Sequence, residues 1–213
     1  MNSERRIREL EARFAELVQK SPKTQTEIEE KERVRSILTK AVREQAKPLF
    51  EELAEVGIRI ESVWDLVNTS ASYPEAVPIL VRHLSEPYHQ RNTEGIVRAL
   101  AVKEAKGIAN RAILEAYLRT PKERSDNPGT YYFRWTFGNT MKVIVTEGDL
   151  DDLIEIVLDE TNGDSRDSFV EALAKLKSPR VLEVLKQLVS DKSKLVSQAA
   201  QKALKRKRSA NLC

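Results

Sequence analysis

Apolar residues recur along most of this chain at spacings of three and four, the pattern of helices with one buried face. Pro, Ser, Asn and Gly separate the runs. Ile7, Leu10, Phe14 and Leu17 share one helix face, and Ser21-Pro22 ends that helix. A second stripe passes through Ile28, Val34, Leu38, Ala41 and Val42 to Leu49, Phe50 and Leu53. Pro48 kinks or divides it, because proline lacks the N–H that the previous turn needs. Glu9/Arg13 and Glu27/Lys31, four residues apart, mark the solvated side. Residues 1–57 thus read as a charged helical unit. Two forms stay open for it, a cap on the rest of the chain and a short coiled-coil arm through which two copies would form a homodimer.

From residue 58 to residue 208 the pattern repeats. NTEGIVRAL (92–100), FRWTFGNTM (133–141), SRDSFVEAL (165–173) and VSQAAQKAL (196–204) align without gaps on a final pair of apolar residues, small then large. Each follows another apolar helix, in turn PEAVPILVRHL, NRAILEAYL, LDDLIEIVL and PRVLEVLKQLV. The period of about 31 to 41 residues suits two-helix repeats. The array resembles the HEAT family, especially its shorter bacterial HEAT-like repeats. Their second helices read Val-Arg, a variable pair, Ala, another pair, then Ala-Leu. Val196, Ala200, Ala203 and Leu204 match, with Ser197 in place of the Arg, while Arg134 and Arg166 occupy the Arg position. The resemblance implies that this Arg pairs with an Asp in the turn between helices, Asp159 or Asp164 for Arg166. The first repeat departs, with Asn92 and Thr93 in the Val-Arg places. Over roughly the last 150 residues the resemblance implies an all-α fold, a right-handed α-α superhelix or solenoid. Residues 1–57 would be its N-terminal extension and residues 209–213 a frayed tail.

This reading accounts for YPEAVPILVRHLSEP, where Pro78 interrupts a helix-forming run. In a helix starting near Glu75 the proline lies about one turn in, where a single backbone bond is lost. Val77, Leu80, Val81 and Leu84 face the partner helix, and Ser85-Glu86-Pro87 makes the turn.

Composition narrows the class further. A chain of 213 residues that is 40% hydrophobic and 32% charged folds rather than staying disordered. With 6% aromatics and 7 Gly it favours neither sheets nor phosphate-cradling loops. No apolar run approaches the roughly 20 residues of a membrane span, and MNSERRIRELEARF is unlike a signal peptide, so no membrane role and a cytoplasmic location are expected. Cys213, the single cysteine, allows no internal disulfide. A formal charge of +3 does not by itself point to nucleic acid.

Candidate chemistry is sparse, and neither a catalytic residue, a metal site nor a cofactor is expected. His83 and His89 are six residues apart and do not share a helix face. Asp149, Asp151 and Asp152 lie close together, yet Asp149 suits an N-cap and acids suit the first turn of a helix. DETNGDSRDSFV (159–170) fails as a calcium loop, with Gly at its fifth place and Val170 where a bidentate Glu belongs. No Gly-x-Ser-x-Gly elbow is present. HEAT-like DNA glycosylases offer an enzyme alternative, with Trp64-Asp65 and Trp135 cast in their Trp and Asp roles, although Trp64 in SVWDLV reads more simply as core. Lys202, Lys205, Arg206, Lys207 and Arg208 form either the polar face of a terminal capping helix or a weak, salt-sensitive nucleic-acid contact.

With Phe137 at the core centre and about 100° per residue, Phe133, Met141 and Ile144 are buried, and Tyr132, Trp135, Asn139 and Lys142 point outward. The matching positions are Glu94 and Arg98, Asp167 and Glu171, and Gln198 and Lys202. In a HEAT array these line the concave surface. The stripe is polar, mixed in charge and aromatic at its middle, which suits another protein better than a phosphate backbone. Either Trp135 stands open on this surface or the preceding DNPGTYY covers it. The expected function is non-catalytic protein binding, as adaptor or scaffold. The alternatives are a toxin-neutralising immunity or inhibitor protein and a glycosylase-like DNA-binding enzyme.

Overall fold

The structure is a computed structural model that describes residues 3–123 and 128–210. Among the described residues it contains twelve α-helices and three short 3-10 turns, with no strand. The α-helices are α1 (Ser3–Gln19), α2 (Gln25–Gln45), α3 (Lys47–Glu55), α4 (Val63–Val67), α5 (Ala76–His83) and α6 (Gln90–Ala99), followed by α7 (Asn110–Arg119), α8 (Pro128–Ile144), α9 (Leu150–Leu158), α10 (Arg166–Leu173), α11 (Pro179–Leu188) and α12 (Lys194–Ala210). None of the described helices is long and apolar enough to cross a membrane.

Local sequence sets most of these boundaries. Thr24 and Glu27 form a capping box at the start of α2, the Glu27 N–H donating to Thr24 Oγ1 (3.3 Å) and the Thr24 N–H to Glu27 Oε2 (2.9 Å). Pro48 divides rather than kinks the second stripe, since α2 ends at Gln45 and the proline sits in the first turn of α3, where no N–H is needed. Pro78 costs even less than expected. Helix α5 begins at Ala76, so Pro78 is its third residue and its missing N–H is one of the four that lack a partner in any helix.

Helices α1 and α2 form an antiparallel hairpin with Ile7, Leu17 and Val34 buried and Arg13 holding Glu30 through two hydrogen bonds (2.9 and 2.8 Å). Lys20 pairs with Glu27 at its turn. The hairpin is fastened to α6 at its far end. Asn92 Nδ2 donates to Val42 O (2.8 Å), the His89 N–H donates to Gln45 Oε1 (2.5 Å), and His89 Nε2 meets Glu11 (2.8 Å). Asn92 and Thr93 depart from the repeat pattern at the place where α6 meets α2, and the Asn92 amide there satisfies a helix-end carbonyl.

The remaining helices alternate between two sets. α4, α6, α8, α10 and α12 pack in that order, each against the next. α5, α7, α9 and α11 each pack on the helix that follows them in sequence. The four aligned segments fall on α6, α8, α10 and α12 in one register. Their fifth residues, Ile96, Phe137, Phe169 and Ala200, are all buried, as are their ninth, Leu100, Met141, Leu173 and Leu204. Phe133 and Ile144 are buried as expected. The sequence pattern did not reveal that α8 is buried on its flanks too. Thr136 and Thr140 are each 1% exposed, and Thr140 Oγ1 donates to Val97 O on α6 (2.9 Å). Threonines that bond backbone carbonyls give a flank that is polar in sequence and dry in the fold.

Two buried arginines tie successive pairs together, and the expected partner of one is corrected. Arg166, 2% exposed, forms a bidentate pair with Asp191 in the turn between α11 and α12 (both 2.9 Å) and donates to Val157 O and Gly163 O (both 2.8 Å). It pairs with neither Asp159 nor Asp164. Asp159 is occupied locally by the N–H and hydroxyl of Thr161 (both 2.9 Å), whereas Asp191 lies one helical pair further on. Arg134, 1% exposed, has Asn162 in the corresponding place (3.0 Å) and carbonyls of Tyr117, Thr120 and Pro121 around its other terminal nitrogen. Its guanidinium lies 4.0 Å from the Tyr117 ring centroid. Carbonyls at the C-terminal end of α7 stabilise its charge, as the helix dipole favours.

Helix α8 meets α10 at Gly138. A Cβ there would lie 2.8 Å from the Phe169 backbone nitrogen and 2.9 Å from its ring. Gly138→Ala is expected to destabilise the fold by about 1 to 3 kcal/mol, despite alanine's better helix propensity. At Gly148 a Cβ would meet nothing nearer than 3.6 Å, so Gly148→Ala should shift stability by no more than about 0.5 kcal/mol. Urea titrations of both variants check the contrast.

Candidate partner-binding face

The third and seventh residues of the aligned segments share the outward side of the α6–α8–α10–α12 row. Glu94, Arg98, Trp135, Asn139, Asp167 and Glu171 are half-buried, and Gln198 and Lys202 are exposed. Tyr132 is the most open aromatic, at 63%, and Lys142 is half-buried. None of the ten expected residues is buried, and contacts join several of them across α6, α8 and α10 into a ribbon.

The ribbon starts earlier than the sequence suggested. Trp64 on α4 is half-buried rather than core, with the Arg98 guanidinium 5.7 Å from its ring centroid. Gly95 on α6 lets α4 pack closely, since a Cβ there would stand 3.1 Å from Val63 Cβ. Arg98 is held by Glu94 (2.8 Å) and also reaches Thr136 Oγ1 (3.4 Å). Lys142 repeats the arrangement one helix on, its ammonium 5.4 Å from the Trp135 ring centroid and 2.9 Å from Glu171 on α10. Trp135 is neither open nor enclosed, and Lys142 covers one ring face. The start of DNPGTYY, which was a candidate cover for this ring, lies outside the described residues. Tyr131 and Tyr132 meet edge to face at 5.2 Å, and the Tyr131 hydroxyl donates to Asp167 Oδ2 (3.3 Å).

Two carboxyls on the face titrate abnormally. Burial pushes Glu171 up, but the Lys142 ammonium outweighs it, aided by Lys202 and Arg206, so Glu171 sits below the usual range. Asp167 is pushed up to about 6, chiefly by burial, against the Ser168 N–H and the Tyr131 hydroxyl. Its Oδ1 is buried with no hydrogen-bond partner.

Other candidates have structural roles. His83 is buried between Tyr88 (2.6 Å) and Glu52 (3.0 Å), and His89 faces Glu11, so the two histidines serve separate contacts. Asp149 does not cap α9 with its side chain, a correction to the expected role. It turns back to accept from Thr146 N (2.7 Å), Thr146 Oγ1 (2.9 Å) and Asn110 Nδ2 (2.5 Å), closing the preceding 3-10 turn. Asp65 accepts from the N–H groups of Glu61 (2.8 Å) and Ser62 (3.0 Å) at the start of α4. Among the described residues no group of three or more His, Cys, Asp or Glu is placed to hold a metal ion. In the basic segment the helix continues through Ala210, and Lys207 donates to Leu176 O (2.8 Å). Cys213 lies outside the described residues.

The chain matches no protein-family model, no curated protein and no solved structure.

Because the folded pKa of Asp167 lies above the unfolded value of about 3.9, this group's contribution to stability is fully present below pH 4 and lost as pH rises through about 6. Asp167→Asn abolishes the titration. The melting temperature of the variant relative to the unsubstituted protein is expected to rise by a few degrees between pH 4 and pH 7.5. A constant offset across that range in paired thermal melts would contradict the assignment.

Proposed function

We propose that the chain is a non-catalytic, HEAT-like α-solenoid that binds another protein through the outward face of α6, α8, α10 and α12, as adaptor or scaffold. The observation that carries this reading is the register of the four aligned segments. In each, the fifth and ninth residues are buried while the third and seventh remain half-buried or exposed. Helices that hold one face in common without burying it present a long, pre-formed surface, the use to which stacked repeats are put.

The chemistry of the face favours a protein over a nucleic acid. Arg98 and Lys142, its central cations, are already neutralised by Glu94 and Glu171, and Asp167 adds a negative site. A phosphate backbone would require free positive charge along the whole row. Tyr132 and Trp135 supply the amphipathic rings that dominate protein interfaces. The glycosylase-like alternative loses support because Asp65 acts as a cap, its Oδ2 accepting from the Glu61 and Ser62 N–H groups at the start of its own helix.

Trp135→Ala tests the reading. It is expected to cost only part of the roughly 3 to 5 kcal/mol of a fully buried Trp, and to weaken a partner captured by affinity pull-down by about 2 kcal/mol or more. A folded variant that holds the partner with unchanged affinity would remove this face from the binding site.

A further inference from the structure

The outward face is charge-balanced along α6 and α8 and changes character at α12. A groove of about 290 Å³ between α10 and α12 is lined by Ala174, Ala199 and Ala203, with Lys202 and Arg206 along its α12 rim. Two other lysines at this groove are committed, Lys175 to Lys142 O (2.6 Å) and Lys207 to Leu176 O (2.8 Å). Lys202 and Arg206 are exposed, one turn apart, and among the described residues neither has a hydrogen bond or ion pair. They lie near enough to Glu171 to lower its pKa, yet Lys142 is the group that pairs with it.

An alanine floor beside two unpaired cations spaced as i and i+4 is complementary to one kind of occupant. We propose that the α10/α12 groove takes an acidic amphipathic helix of the partner protein, its apolar side chains on Ala174, Ala199 and Ala203 and its carboxylates on Lys202 and Arg206. This deepens, and rests on, the reading of the face as protein-binding. The alanines leave room for the occupant's larger side chains, which is how a helix seats in a groove. Nucleic acid fits less well, because the Glu171 carboxylate also lines the groove and a phosphate chain gains nothing from an alanine floor.

The test uses the full chain and a short fluorescein-labelled helical peptide with Leu on one face and Glu elsewhere. Its controls are the same peptide with Gln for Glu and a labelled DNA duplex. The acidic peptide should bind at least about tenfold more tightly than the Gln peptide or the duplex, and should weaken as salt rises from about 50 to 200 mM. The doubly substituted Lys202→Glu/Arg206→Glu chain should lose about tenfold or more for the acidic peptide. Both side chains are exposed and have no hydrogen bond or ion pair, so its circular dichroism should be unchanged, and loss of their attraction for Glu171 should lower its melting temperature by no more than a few degrees. Absence of peptide binding, equal binding by the substituted chain, or tighter binding of the duplex would each overturn the proposal. A captured partner separates this failure from that of the broader reading. If Trp135→Ala loses the partner and the double substitution keeps it, the groove assignment falls alone. If both keep it, the face falls too.

Discussion

The α8–α10 crossing at Gly138 is the constraint on which the rest of the architecture depends. Without a Cβ at this position the backbone of α8 comes within contact of the Phe169 amide, and the two helices bury each other's flanks. That proximity sets the Phe169 ring at a tilt against Tyr117, centroids 4.5 Å apart, and places Tyr117 beside Phe137 at 5.9 Å, so three rings from three helices share one cluster. A glycine in a helix interior costs about 1 kcal/mol relative to alanine, a cost offset here by close packing along both helices. The same proximity brings Lys142 of α8 to Glu171 of α10 and Tyr131 to Asp167, so the spacing that builds the core also sets the spacing of the outward face.

Polar groups fix the order of the helical pairs. Arg134 and Arg166 each reach sideways to a turn in the following pair, to Asn162 and Asp191. A buried arginine is costly where its donors are unmet, and here the carbonyl ends of α7 and α9 and the side chain of the next turn meet the terminal nitrogens of both, leaving only Arg134 Nε without a partner. Asn110 acts in the same way, bonding Ile144 O at the end of α8 and Asp149 beyond it. Such contacts add little net stability in exchange for water, but an unmet partner would be expensive, so they select one arrangement of neighbours over its alternatives.

Period and register were legible in the sequence because they depend on which residues are apolar. The small-large apolar ending of each aligned segment located buried positions on four helices, and the positions two before and two after Phe137 on the outward side followed from helix geometry alone. Lateral partners were not legible. Nothing local distinguishes Asp191 from Asp159 as the mate of Arg166, since the choice rests on which turn lies alongside. Thr136 and Thr140 looked like surface residues because a threonine bonded to a carbonyl is polar in composition and buried in fact. SVWDLV points to a core Trp64 because α4 has only one turn, too short to show which side its ring takes, and its place beside Arg98 is set by the neighbouring helix α6.

Two sides of the molecule carry accessible apolar side chains, which allows a direct comparison. Tyr132 and Trp135 lie on the outward side of the α6–α8–α10–α12 row, whereas Leu118 on α7 and Ile108 just before it, exposed by 60% and 56%, lie on the other set of helices. Hydroxyl-radical footprinting of the chain, alone and in complex with a captured partner, reads the accessibility of all four residues in one experiment. The account predicts that the partner shields Tyr132 and Trp135 and leaves the oxidation of Ile108 and Leu118 unchanged. Shielding of Ile108 and Leu118 with Tyr132 and Trp135 still open would contradict it.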